Sequence, residues 1–497
     1  MSHTPQHGAI AAGHALTARA AAQMLKAGGN AVDAAIAAAA MACVVEPVLA
    51  GPAGGGFAMV QAGDTARPEL HDFFCHTPRR RNAQARVEAA EADFGDATQI
   101  FHIGPGTVAT PGFMQGLWEL HAQHGRLPWA ELFTPAREVA EQGHAVSAFQ
   151  AGLLRIIAPI VTHTASARAL FAPRGELLNA GETLINPAQA RFWRLMAEGG
   201  IEAWRNEVWP ALLDAAGPSG GGHLREEDLR AYEACRRAPL RVTPAPEEET
   251  TVWLNPPPAA SGVLIALALH WLREHGQDAE DCLPCACAAA LHHADTLRRD
   301  ASHDLTRLIA RLPRAWRGTT HISVIDTRGV TCAMTISNGE GNGQLLEAFG
   351  FMPNNMLGEE DVNPAGALRF AEDTRLSSMM APTLARTAHG AHIALGSGGS
   401  NRIRSALLLV LARLLLAGET LPRAVHAARL HVENGALDVE PGLPQDQAKR
   451  LGEMFAHHRF WTQPSMFFGG VHAVMRGADG ALDAAADFRR DGVALLV

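Results

Sequence analysis

The sequence predicts an α+β fold, sheet layers covered by helices. Three observations point there. Alanine-rich helical stretches occupy 18–25 and 31–45, and helical spacing returns through 112–240. After residue 319 the character changes to short β-like runs at 322–325, 330–337, 393–395 and 471–475. Helical stretches at 403–416 and 421–430 stand between these runs, so strands and helices come in blocks.

Taken in order, the stretch 18–25 reads as a helix and Gly28-Gly29-Asn30 breaks it. The next helix, 31–45, is too alanine-rich and too close to Asp33 and Glu46 to span a membrane, and reads as buried. Gly51-Pro-Ala-Gly54-Gly55-Gly56 is a glycine loop leading into a strand at 57–61. It lacks a Gly-Lys-Ser/Thr ending and a following helix, so no nucleotide is expected there, nor any other cofactor. Helices follow at 116–124 and 130–142, with Trp118, Trp129 and Trp193 as core anchors. The stretch 244–249 is polar and loop-like. Asn255-Pro-Pro-Pro258-Ala-Ala-Ser261-Gly262 is a rigid turn before an apolar helix at 263–271. Arginines spread over 298–317 read as an exposed tail that runs up to Gly318.

The bulk properties exclude several classes. A chain of 497 residues, 47% hydrophobic and 19% charged, can bury a sizeable core. A formal charge of −9 without a basic stripe speaks against nucleic acid. Pro78-Arg79-Arg80-Arg81 reads as a solvated loop. Seven cysteines, an odd number, do not form a disulfide framework. Cys282, Cys285 and Cys287, with His292 and His293 nearby, lack the closed four-ligand spacing of structural zinc, and no metal is expected. No secretory leader is visible at the N-terminus, and with free thiols this points to the cytoplasm.

Gly318-Thr319-Thr320 opens the β-rich part. Taken alone, a doubled threonine is a strand start, since threonine favours strands. A chemical reading stands beside it. A threonine hydroxyl becomes a nucleophile when a base adjoins it, and its own α-amino group serves if the chain is cut just before it. Gly318 would leave the preceding carbonyl open to that hydroxyl.

Several segments together resemble the γ-glutamyltransferase family of N-terminal-nucleophile hydrolases, over nearly the whole chain. They are Leu25-Lys-Ala-Gly-Gly-Asn-Ala-Val-Asp-Ala-Ala35, Val44-Val-Glu-Pro47 with Gly54-Gly-Gly-Phe57, Pro105-Gly-Thr-Val-Ala109, Gly125-Arg-Leu-Pro-Trp129, Thr319-Thr-His-Ile-Ser-Val-Ile-Asp326, Leu376-Ser-Ser-Met379 and Gly396-Ser-Gly-Gly-Ser-Asn-Arg-Ile403. The resemblance implies one composite domain, residues 1–497, folded as a four-layer αββα sandwich. It implies self-cleavage into a large chain, 1–318, and a small chain, 319–497, which stay together as a heterodimer and could dimerise again. Thr319 would be the nucleophile, Thr320 its support, and Gly398 and Gly399 the oxyanion donors. Ser377 and Ser378 would bind a substrate carboxylate. Ser337 falls where the family has another supporting hydroxyl, and Ser337 and Asn338 are assigned to the pocket.

Three places depart from the family pattern. Phe74 stands where the family's arginine grips the substrate α-carboxylate, and phenylalanine cannot replace that fork. The nearest arginines in sequence are Arg79, Arg80 and Arg81. Glu359 falls in register with an aspartate that binds the substrate ammonium. Glu340 lies in an unusually glycine-rich stretch, where it either lines the pocket or caps a surface turn. The expected activity is a self-processing amide hydrolase or acyltransferase that passes an acyl group from Thr319 to water or an amine. The alternatives are an amidohydrolase for a different small carboxylated amide and an uncleaved, non-catalytic relative.

Overall fold

Asparagine and aspartate three residues apart start the helix that supports the site. In the computed structural model, which describes residues 6–93, 98–244, 249–275, 281–300, 318–359, 362–363, 366 and 368–497, strand β1 (Gly8–Ala12) is followed by helices α1 (Ala15–Lys26) and α2 (Ala31–Val45). Gly28 ends α1 with φ +90°, which suits glycine. The Asn30 side chain then accepts from the Val32 and Asp33 amides, and Asp33 accepts from the Asn30 amide, a reciprocal cap. Every residue of α2 is buried, which its small side chains permit.

The remaining elements used below are β2 (Gly55–Ala62), β3 (Glu69–Asp72), α3 (Phe113–His124), β4 (Cys235–Arg237), β5 (Leu240–Val242), β6 (Thr251–Leu254), α4 (Ser261–Glu274), α5 (Leu283–Asp300), β7 (Thr320–Asp326), β8 (Val330–Ser337), β9 (Thr383–Arg386), β10 (His392–Gly398), α6 (Ile403–Leu415), β11 (Gly470–Arg476), β12 (Leu482–Ala486) and β13 (Val493–Leu496). One sheet runs β13-β1-β7-β8-β2-β3-β4 and the other β12-β11-β10-β9-β6-β5. The pairings are antiparallel. Helices α1 and α2 cover the outer face of the first sheet, the two sheets pack face to face, and α4 and α6 cover the second, with α5 against both. This is the four-layer α+β sandwich.

Strand β7 lies between β1 and β8, and all seven of its residues are buried. A strand covered on both faces loses the apolar–polar alternation of a half-exposed one. Each sheet is woven from both sides of residue 318: β1, β2, β3 and β4 join β7, β8 and β13 in the first, and β5 and β6 join β9 to β12 in the second.

Some expectations change. The helix expected at 421–430 stops at His426, and Leu430 opens a strand, Leu430–Glu433. Arg429 between them is buried and pairs with Asp487 at 2.9 Å, so tertiary contact overrides local helicity. Cys282 and Cys285, read as free thiols, are joined by a disulfide; Cys43, Cys75, Cys235, Cys287 and Cys332 are free. Arg298, read as the start of an exposed tail, is buried in α5 and donates to Asp295 at 2.6 Å. The rest of that tail, 301–317, and most of the polar stretch at 244–249 lie outside the described residues.

Candidate active site

The Gly318–Thr319 junction sits at the head of β7, buried at the centre of the first sheet. Gly318 is sterically required. A Cβ there would lie 2.6 Å from the carbonyl oxygens of both Gly339 and Val48. The peptide is held from three directions. The Thr319 hydroxyl donates to the Gly318 carbonyl at 2.7 Å, the Ser337 hydroxyl donates to the same oxygen at 2.6 Å, and the Gly318 amide donates to Glu340 Oε1 at 3.1 Å. The nucleophilic oxygen is therefore one hydrogen bond from the carbonyl it would attack. A donor already rests on the oxygen that would gain charge.

The supports are themselves fixed. Ser337 Oγ accepts from the Gly339 amide at 3.1 Å. Asn355 accepts from the Glu340 amide at 3.0 Å and donates to Glu340 Oε2 at 3.4 Å. Glu340 is buried and is not among the residues that line the cleft, so it is neither the expected pocket residue nor a surface-turn carboxylate: it holds the junction. Asn338 is buried beside it, but its amide donates to the Met352 carbonyl at 3.1 Å and it packs on Gly51, so it shapes the loop without reaching the cleft wall.

Thr320 leads to a residue that the sequence reading passed over. Its hydroxyl donates to Glu46 Oε1 at 2.8 Å, and Thr17 donates to Oε2 at 3.0 Å. Glu46 follows the last turn of α2 and is 1% exposed. Burial raises its pKa to about 7, against the two hydroxyl bonds, which lower it. Gly13 makes room: a Cβ there would stand 2.7 Å from both Glu46 Oε1 and Thr320 Oγ1. The only hint in the sequence was Glu46 inside Val44-Val-Glu-Pro47, with no sign that it meets Thr320.

Strand β10 ends in the paired glycines. A Cβ on Gly398 would lie 2.2 Å from the Thr319 carbonyl oxygen, so the two backbones touch only because Gly398 has no side chain. Gly399 turns away at φ +125° toward Gly469 and the Arg490 guanidinium, and Ser400 follows at φ +53°. A non-glycine residue in that region is uncommon, and such strain gathers at functional turns.

A narrow cleft opens onto Thr319, with about 20 Å³ available to a water-sized sphere. Phe74, Met356, Val362, Met379, Met380 and Ile403 form its apolar walls, and Ser337, Glu359, Ser378 and Ser400 its polar points. Glu359 and Ser378 thus reach the cleft as expected. Ser377 does not line it: its hydroxyl donates to the Pro258 carbonyl at 2.9 Å. Ser378 Oγ accepts from the Met380 amide at 3.1 Å.

No arginine or lysine lines this cleft among the described residues. Phe74 is buried and stacks on Phe57, ring centroids 5.5 Å apart. The Arg375 guanidinium reaches the Phe74 backbone, but it donates to the Phe74 carbonyl, to the Tyr232 hydroxyl and to the Glu233 carbonyl, and lies 3.6 Å from Asp72. Arg79 and Arg80 turn outward to Asp373 and Glu227, and Arg81 lies over the Phe370 ring. None of the three supplies the missing fork.

A family model described as Gamma-glutamyltranspeptidase matches residues 17–300 and 289–497. The Acylase ACY 1 proenzyme of Pseudomonas sp. (strain V22) is 29% identical, over 99% of this chain and 94% of its own length. The Glutathione hydrolase proenzyme of Bacillus subtilis (strain 168) is 26% identical, over 98% and 91%. The crystal structure of cephalosporin acylase from Bacillus halodurans has a TM-score of 0.83 at 22% identity, covering 99% of this chain and 96% of that one, a likeness of fold. With the layered sandwich and a family match along nearly its whole length, the chain belongs to the gamma-glutamyltranspeptidase family of self-processing N-terminal threonine hydrolases.

Proposed function

We propose that Thr319 is the nucleophile of this chain and that it acts on amides whose acyl group is largely apolar. The first step is self-cleavage. Thr319 Oγ1 attacks the Gly318 carbonyl carbon, the oxygen gains charge against the Ser337 hydroxyl, and the Gly318–Thr319 C–N bond breaks. This leaves an ester on Oγ1 and a free α-amino group. Water opens the ester, giving a Gly318 carboxylate and an N-terminal Thr319. In turnover that amino group takes the hydroxyl proton as Oγ1 attacks the substrate amide carbonyl. The amine departs with a proton, and water or a second amine removes the acyl group. Backbone donors in the Gly398-Gly399 turn are the proposed oxyanion partners. Residues 1–318 and 319–497 then form one heterodimer. Its small-molecule substrate and cytoplasmic setting belong to this proposal. The five free thiols support that compartment, and the Cys282–Cys285 bond argues against it.

The observation that carries the substrate reading is the cleft wall. Phe74 and three methionines face the acyl position, with Glu359 as an anionic group and, among the described residues, no cation. Against the described lining alone, a γ-glutamyl α-carboxylate would enter this wall without a cationic partner, at a desolvation cost of several kcal/mol. The similarity to an acylase proenzyme points the same way. Of the two serines expected to hold a substrate carboxylate only Ser378 lines the cleft, so the reading as a small carboxylated amide hydrolase keeps one of that pair. A hydrolysis screen tests the choice. Aliphatic acyl anilides should turn over with kcat/KM well above γ-glutamyl anilide. Efficient γ-glutamyl turnover, with no gain in Phe74→Arg, contradicts it.

A further inference from the structure

We propose that Glu69, His71 and His124 form a binding site for one zinc-class divalent cation, on the far side of β3 from the catalytic cleft. The three residues come from two elements. Glu69 and His71 are two apart on β3, so both side chains leave the same face of the sheet. His124 is the last residue of α3, which packs on that face. One ligand atom from each residue lies within 4.8 Å of the others.

The two imidazoles carry the argument. His71 Nε2 and His124 Nε2 are 3.1 Å apart and the rings are nearly perpendicular, at 84°. Two nitrogens bound to one zinc at about 2.0–2.1 Å in tetrahedral geometry stand about 3.3 Å apart. The pair is therefore spaced close to a chelate bite. Their supports are rigid. His71 is held in register between Ala58 and Arg236, and the His124 carbonyl accepts from the Asn30 side chain that caps α2 at 2.6 Å. Glu69 supplies the carboxylate. The opposing group is Arg236, 3.6 Å from Glu69 Oε2, an exposed side chain that must swing aside. Two imidazoles and one carboxylate suit zinc, with water in the fourth place. The strand so tethered runs straight into Phe73 and Phe74, so the cation would brace the cleft wall without entering it.

The test uses the full purified chain, stripped with a chelator and titrated with zinc chloride alone, followed by calorimetry and thermal melting. The expected result is one zinc per chain, a melting midpoint that rises with free zinc, and an X-ray absorption edge fitted by two imidazoles. His124→Ala should weaken binding by about a hundred-fold or more and Glu69→Gln by about ten-fold. Both positions are solvent-accessible, so both variants should fold. Sub-stoichiometric binding by the wild type at 100-fold excess zinc (on the order of the excess that saturates a weak site), or equal binding by wild type and both variants, overturns the proposal. A plain imidazole–imidazole hydrogen bond is then what holds the pair.

Discussion

Glu46 and Ser337 show how single residues decide the chemistry at the junction. The folded-state pKa of Glu46, about 7, lies above its ordinary 4.5 because burial disfavours the charge. The folded protein therefore binds the proton more tightly than the unfolded chain. This contribution is complete below pH 4.5 and is lost as pH rises through about 7, a change of about 3 kcal/mol. Glu46→Gln should remove that part of the pH dependence, so denaturant melts at pH 5 and pH 8 should differ less for the variant than for the wild type. An unchanged difference contradicts the assignment. Ser337→Ala removes the donor on the Gly318 oxygen and should slow self-cleavage by about 10²–10³-fold while leaving the fold intact. A time course on denaturing gels reads this directly, and wild-type kinetics in the variant would remove Ser337 from the step. These two residues were unequally legible. Ser337 stood in a recognisable place, whereas Glu46 meets Thr320 across 274 residues, a pairing that no local pattern encodes.

At the scale of elements, the sequence announced its strands and helices where local chemistry dominates. The breaker at Gly28-Gly29-Asn30, the alanine run of α2 and the short β-like run 322–325 within β7 were readable because each is specified by neighbours. The failures share one cause. The helix after Leu421 ends early because Arg429 is pulled into a buried pair with Asp487, and Arg298 is buried because Asp295 holds it. Ser377 and Ser378 were equal on paper, yet adjacent residues of extended chain face opposite ways, and only Ser378 reaches the cleft. The turn that closes β10 makes a sharper claim. Gly398→Ala would force a methyl to within 2.2 Å of the Thr319 carbonyl oxygen, displacing the nucleophile or the turn. The expected outcome is a stability loss of about 1–3 kcal/mol together with loss of turnover. Full activity with unchanged melting would show that the two backbones do not meet as described.

Across the whole molecule, the two sheets explain how the chain would persist after the proposed cut between Gly318 and Thr319. Strand β7 begins one residue after the scissile bond, and its neighbours β1 and β8 lie on opposite sides of that bond in sequence. Residues from both sides pack into the same cores, so the products have no surface along which to part without exposing them. On the proposed cleavage the catalytic step and the architecture are one arrangement, since the new N-terminus would appear inside a sheet that already holds it. Intact-mass spectrometry of the purified protein under denaturing conditions, for wild type and Thr319→Ala side by side, tests this most directly. The account predicts two wild-type chains, 1–318 and 319–497, the second starting with an unblocked threonine and the two co-eluting before denaturation, and a single uncut chain for Thr319→Ala. A wild-type chain that stays whole, or a variant cut at the same bond, would contradict it.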